Sequence, residues 1–144
     1  MQRLAGDTPA ANATAQQAGD TLENLNRDQP DSWKSAVILS QAYAAAGEKD
    51  SAIETANRAI MLLPRSRDPL KGPTIEENLA RIQAMFGENN GAISTLSRLL
   101  KTPYVKLFLY SSTPITPALL KLDPLWDPLR ADFAFQKLCE EKQP

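Results

Sequence analysis

The chain has 144 residues, enough for one domain with its own core, and 16 Lys and Arg against 17 Asp and Glu leave a formal charge of −1. It shows no basic stripe of the kind nucleic-acid binders carry, no run of about 18 apolar residues to span a membrane, and no apolar signal core in Met1–Asp7, so a cytoplasmic protein without nucleic-acid or membrane partners is expected. With no His, the single Cys139 and no glycine-rich phosphate loop, zinc sites, Cys–His nucleophiles, Ser–His–Asp triads and an intrachain disulfide are excluded, and neither catalysis, metal nor cofactor is expected.

One short phrase recurs along the chain. Gly6-Asp7-Thr8-Pro9-Ala10-Ala11, Gly47-Glu48-Lys49-Asp50-Ser51-Ala52 and Gly87-Glu88-Asn89-Asn90-Gly91-Ala92 lie 41 and 40 residues apart, the signature of a stacked helical array. The first phrase opens a helix near Pro9 with a stripe at Ala11, Ala15, Ala18, Leu22 and Leu25 that runs toward Pro30. No helix precedes Gly6, so this helix is expected to lack its partner, and its exposed Ala/Leu stripe to support a weak homodimer. By the same token the chain reads as the C-terminal piece of a larger protein.

The second phrase joins two amphipathic helices. Trp33, Ala36, Val37, Ser40, Tyr43 and Ala44, with Leu39, mark the first, which Asp31 or Ser32 caps; Ala52, Ile53, Ala56, Ala59, Ile60 and Leu63 mark the second, which Pro64 ends. The loop Arg65–Pro73 follows, stiffened by two prolines; its three cations suit a solvated linker or an acidic partner. Thr74-Ile75-Glu76-Glu77 reads as a capping box opening the next helix, with Ile75, Leu79, Ile82 and Phe86 on one face. After the third phrase come Ala92, Ile93, Leu96, Leu99 and Leu100, then Pro103.

Beyond Pro103 the period is lost. Tyr104–Tyr110 alternates loosely, as a short strand or, without a visible mate, as an irregular segment packed by its aromatics. Pro114 and Pro117 predict extended chain. In Leu122–Leu138 each of the two Asp-Pro pairs supplies an N-cap and an N1 proline, predicting two short helices, the second with Leu129, Phe133, Phe135 and Leu138 inward. Capping accounts for Asp123 and Asp127 better than acid–base chemistry does, and Trp126 reads as a core plug.

Tyr43, Gly47, Ala52, Ala59 and Pro64 together resemble the tetratricopeptide repeat, in which small residues sit at helix crossings and glycine relieves the turn. The third unit departs at Gln83, where an aromatic is usual, and at Leu99, where a small residue is. The tail, Leu119-Leu120-Lys121-Leu122-Asp123-Pro124-Leu125-Trp126-Asp127-Pro128-Leu129-Arg130 and Phe135-Gln136-Lys137-Leu138, resembles the ending of bacterial signalling proteins. In those, such an array trails a serine/threonine kinase, adenylate-cyclase-like or TolB-like region. The resemblance implies an all-α solenoid of antiparallel helix pairs over residues 1–103, sealed by a proline-rich cap of short helices over residues 104–144.

It also implies a concave groove on the first helix of each pair. Carried over by position, that groove comprises Lys34, Val37, Gln41 and Ala44, then Glu77, Arg81, Ala84 and Met85, with Arg81 fixing the charge of a bound peptide. A protein-binding or scaffolding module is therefore expected. The alternative is a structural cap that packs only against its own N-terminal catalytic domain and binds no external partner.

Overall fold

The computed structural model describes residues 8–102 and 114–141, without the side chains of Thr8, Ala11, Asn12, Ala15, Gly19 and Leu25. The stripe positions Ala11, Ala15 and Leu25 and the segment Tyr104–Tyr110 therefore lie outside what is described. Two compact units divide the chain, Met1–Leu62 and Leu63–Pro144, a boundary inside the stretch expected to form one array. The described residues are mostly helical and contain no strand, which makes the fold all-α. No described helix is long and apolar enough to cross a membrane.

Helix formation in the first unit follows local rules. Helix α1 (Thr8–Asp28) holds Pro9 in its first turn, where the missing N–H has no intrahelical partner to lose, and ends two residues before Pro30. Its 21 residues exceed the 14 of α3 by seven, two helical turns. Helix α2 (Trp33–Ala46) is capped by Ser32 rather than Asp31: the Ser32 hydroxyl accepts from the Ser35 N–H at 3.3 Å. Helix α3 (Lys49–Leu62) stops short of Pro64. Of the expected faces, Ala36, Val37, Leu39, Ser40, Ala44, Ala52, Ala56 and Ala59 are buried, and Ser40 satisfies its hydroxyl on the Val37 carbonyl at 2.7 Å. Ala18 of α1 is exposed and Leu22 half-buried.

The turn between α2 and α3 shares its glycine conformation and closing hydrogen bonds with the turn between α4 (Gly72–Met85) and α5 (Asn89–Leu100). Gly47 and Gly87 adopt φ of 87° and 77°, a left-handed geometry that a side chain would strain. The Glu48 and Glu88 amides donate to the Tyr43 and Gln83 carbonyls at 2.9 and 2.8 Å, and the Gly47 and Gly87 amides to Ala44 and Ala84 at 3.2 and 3.3 Å. Both are Schellman closures, and each satisfies carbonyls that the helix end would leave orphaned.

In the second unit several local expectations need correction. Thr74 does not cap α4: the helix begins at Gly72, with Pro73 in its first turn, and the loop before it is organised by Asp68. The Asp68 carboxylate accepts from the Leu70 and Lys71 amides at 3.1 and 2.8 Å, and its carbonyl from the Gly72 amide at 2.8 Å. Those backbone donors, Lys71 foremost, hold the Asp68 carboxyl below the usual range. Pro117 does not keep the chain extended but starts α6 (Pro117–Leu122), with Thr116 accepting from the Leu119 amide at 3.1 Å.

Asp123 does cap a helix, the 3₁₀ helix Pro124–Leu129, but Asp127-Pro128 falls inside it and initiates nothing. Helix α7 (Phe133–Glu140) is capped instead by Asp132, which accepts from the Ala134 amide at 2.9 Å. Leu129, Phe135 and Leu138 are buried as expected, whereas Phe133 is 80% exposed. Residues two apart on a helix point to opposite sides, so α7 cannot bury both phenylalanines against one neighbour. The core of this unit joins Leu96, Leu99, Leu120, Trp126, Leu129, Phe135 and Leu138, with Ala80, Ala84 and Ala92 at the close approaches.

Candidate functional site

The eight residues expected to line a groove divide by burial. On α2, Lys34 is exposed, its ammonium 5.6 Å from the centroid of its neighbour Trp33, and Gln41 is half-buried. Val37 and Ala44 lie in the core. On α4, Met85 is 48% exposed, but Glu77 and Ala84 are buried. Arg81 turns inward as well. Its Nη2 lies 2.8 Å from Glu77 Oε1, its side chain is 14% exposed, and its guanidinium sits 5.9 Å above the Trp126 ring.

Glu77 stands forty residues after Val37, and both are buried. The repeat register thus carried a usable signal that a position occupied by valine in one pair is a core position in the next. Arg81 as a groove charge is corrected accordingly: the buried carboxylate and the indole face hold it within the second unit.

An opening in the first unit lies on the other side of α2. A cleft of about 470 Å³ runs between α1, α2 and α3, walled by Glu23, Asn26, Arg27, Tyr43, Glu54 and Arg58 and floored in part by Leu39 and Pro30. Leu39 and Tyr43 sit about 200° around α2 from Val37 and Gln41, at roughly 100° per residue. None of the eight residues singled out from sequence reaches it.

Two long-range bonds shape this cleft. The Tyr43 hydroxyl donates to the Glu23 carboxylate, which ties α2 to α1. The Tyr43 phenol is pushed up to about 12, first by burial, then by that bond and by the negative charge of Glu23, Glu48 and Asp20. The Arg58 guanidinium donates to the Pro30 carbonyl, fixing α3 against the α1–α2 connection. A second, smaller opening of about 240 Å³ shares Glu23 and Tyr43 and adds Asp20 and Glu48. The cleft itself is charge-balanced, Glu23 and Glu54 against Arg27 and Arg58, and the excess of acid lies in the smaller opening, with Asp20, Glu23 and Glu48. Partners 20 and 28 residues apart leave no local pattern, so sequence reasoning had no means of finding this site.

Elsewhere, Cys139 is buried beside Lys121, Arg130 and Phe135 in the second unit. Burial pushes its thiol up, against the opposing pull of Lys121 and Arg130, which disfavours the thiolate.

Compared with known proteins, the chain matches no family model, no curated protein and no solved structure.

Proposed function

We propose that this chain is a non-enzymatic protein-interaction module built from tetratricopeptide-like helix pairs, working in the cytoplasm within a bacterial signalling protein of the kind its tail resembles. The cleft between α1, α2 and α3 is its recognition surface, and a peptide segment bearing a basic side chain is the ligand. The observation that carries this reading is the cleft itself. Its volume of about 470 Å³ falls within the range of roughly 300–1,000 Å³ typical of ligand sites. Four charged side chains, Glu23, Arg27, Glu54 and Arg58, line it, which suits an extended polar segment better than an apolar small molecule. The matching Schellman turns forty residues apart support the repeat reading. The absence of His and the buried, poorly ionised Cys139 support a role in binding rather than chemistry.

Selection of a displayed peptide library on the intact protein tests this. Wild type is expected to enrich a consensus with a Lys or Arg, and Glu54→Arg to lose that enrichment while its circular dichroism spectrum is unchanged. Enrichment of nothing by wild type, or the same consensus from both proteins, would refute the cleft as the recognition surface.

A further inference from the structure

A second surface, on the other unit, carries an excess of positive charge. The residues up to Leu62 hold five cations against eight anions, whereas those from Leu63 onward hold eleven against nine. Within the second unit the excess gathers where the Leu63–Lys71 loop meets the end of α5. Arg65 grips Glu76 with both arms of its guanidinium, Nε to Oε1 at 3.1 Å and Nη2 to Oε2 at 2.7 Å, and donates Nη1 to the Thr102 hydroxyl at 3.0 Å. Arg98, 63% exposed, reaches the same Glu76 Oε2 only at 3.8 Å. Arg67, two residues after Arg65, and Lys101, just before Thr102, are exposed.

Glu76 thus pairs with two cations, Arg65 and Arg98, while Arg67 and Lys101 lie within two residues of Arg65 and Thr102 along the chain. The nearby Asp68 is already matched by Lys71, 3.4 Å away. The C-terminal end of α5 offsets only about half a charge.

The platform is also preorganised. Both the Arg67 and Asp68 amides donate to the Pro64 carbonyl, at 2.9 and 3.1 Å. Gly72 packs so closely that a Cβ there would lie 2.6 Å from Arg65 Cα. A loop held this way loses little entropy when a ligand engages it.

We propose that Arg65, Arg67, Arg98 and Lys101 form a docking surface for an acidic, extended segment of a partner polypeptide. Arg67, Arg98 and Lys101 contact its carboxylates, and Arg65, locked on Glu76, holds the loop in place. This surface is independent of the cleft and of its basic ligand. A second copy of the chain is disfavoured as the occupant, because joining the acidic unit of one molecule to this basic end of another is a head-to-tail contact that need not close.

Fluorescence anisotropy with the whole chain tests the assignment, using labelled poly-Glu and poly-Gln peptides of equal length and a single-stranded oligonucleotide. Poly-Glu is expected to bind saturably, poly-Gln not at all, and about 0.5 M salt to abolish the binding. Arg67→Ala/Arg98→Ala should weaken it by about five- to tenfold, the combined effect of two exposed charge pairs, with the melting temperature retained. Arg67→Ala/Lys101→Ala is the second variant should the first be unstable. Absent saturation, an affinity indifferent to the double substitutions, or tighter binding of the oligonucleotide would overturn the proposal. So would a salt-sensitive rise in sedimentation mass with concentration that the double variant lacks, since the occupant would then be a second copy.

Discussion

Arg81 holds a buried carboxylate. Its guanidinium bonds Glu77, itself only 2% exposed, and stacks above Trp126, so one side chain links α4 to the 3₁₀ helix that follows α6. In sequence, Glu77 and Arg81 look like an exposed i, i+4 pair worth a few tenths of a kcal/mol. Buried, the pair behaves differently: removing one partner strands the other charge in a poorly solvated place. Arg81→Ala is expected to destabilise the protein by about 3 kcal/mol, read from denaturant midpoints. A loss below about 0.5 kcal/mol, the level of a surface substitution, would show that Glu77 remains solvated. Arg81→Glu would place two acids together and report on folding rather than on ligand binding.

At the scale of an element, the loop from Leu63 to Lys71 depends on the start of α4. Gly72 is the first residue of that helix, where alanine would ordinarily gain less than the interior value of about 1 kcal/mol in propensity. Here a Cβ would lie 2.6 and 2.7 Å from the Arg65 Cα and N, backbone atoms that cannot rotate away. Gly72→Ala is therefore expected to lower stability by about 1–3 kcal/mol, the penalty for overpacking, and to loosen the Arg65–Glu76 fork. Thermal melts of Gly72→Ala check this; an unchanged or raised melting temperature would mean that the loop shifts freely.

The caps of this unit teach a related lesson. Asp123, Asp132 and Thr116 each satisfy an amide two or three residues ahead, a rule readable from sequence. Asp127 obeys no such rule, because the 3₁₀ helix runs through it and its carboxylate bonds the Arg130 side chain.

Across the molecule, the two units bury different material. Among the described residues, the buried apolar side chains of the first unit are five alanines with Val37 and Leu39, while the second encloses Trp126, Phe135 and several leucines. Burying a Leu or Phe side chain yields about 1.5–3 kcal/mol, far above what a single methyl contributes. Opening should therefore be easier in α2 and α3 than in α4 and α5. Hydrogen exchange followed by mass spectrometry is expected to show α2 and α3 amides exchanging at least about tenfold faster, a difference of about 1.4 kcal/mol in opening free energy. Equal protection in both would show that alanine close packing compensates for the smaller area.

What the sequence determined by itself is whatever physics acts within about one helical turn. The positive-φ glycines Gly47 and Gly87, the stops before Pro30 and Pro64, a cap for α2 at Asp31 or Ser32 and the forty-residue interval between equivalent turns all follow from sterics and from hydrogen bonds among near neighbours. The tertiary structure decided which faces close. It sent Phe133 outward and Phe135 inward, buried Glu77, committed Arg81 to Trp126 and Arg65 to Glu76, and opened a cleft through Tyr43 and Glu23. Burial and long-range charge pairing depend on groups brought together from 11 to 45 positions away, and no local pattern encodes that distance.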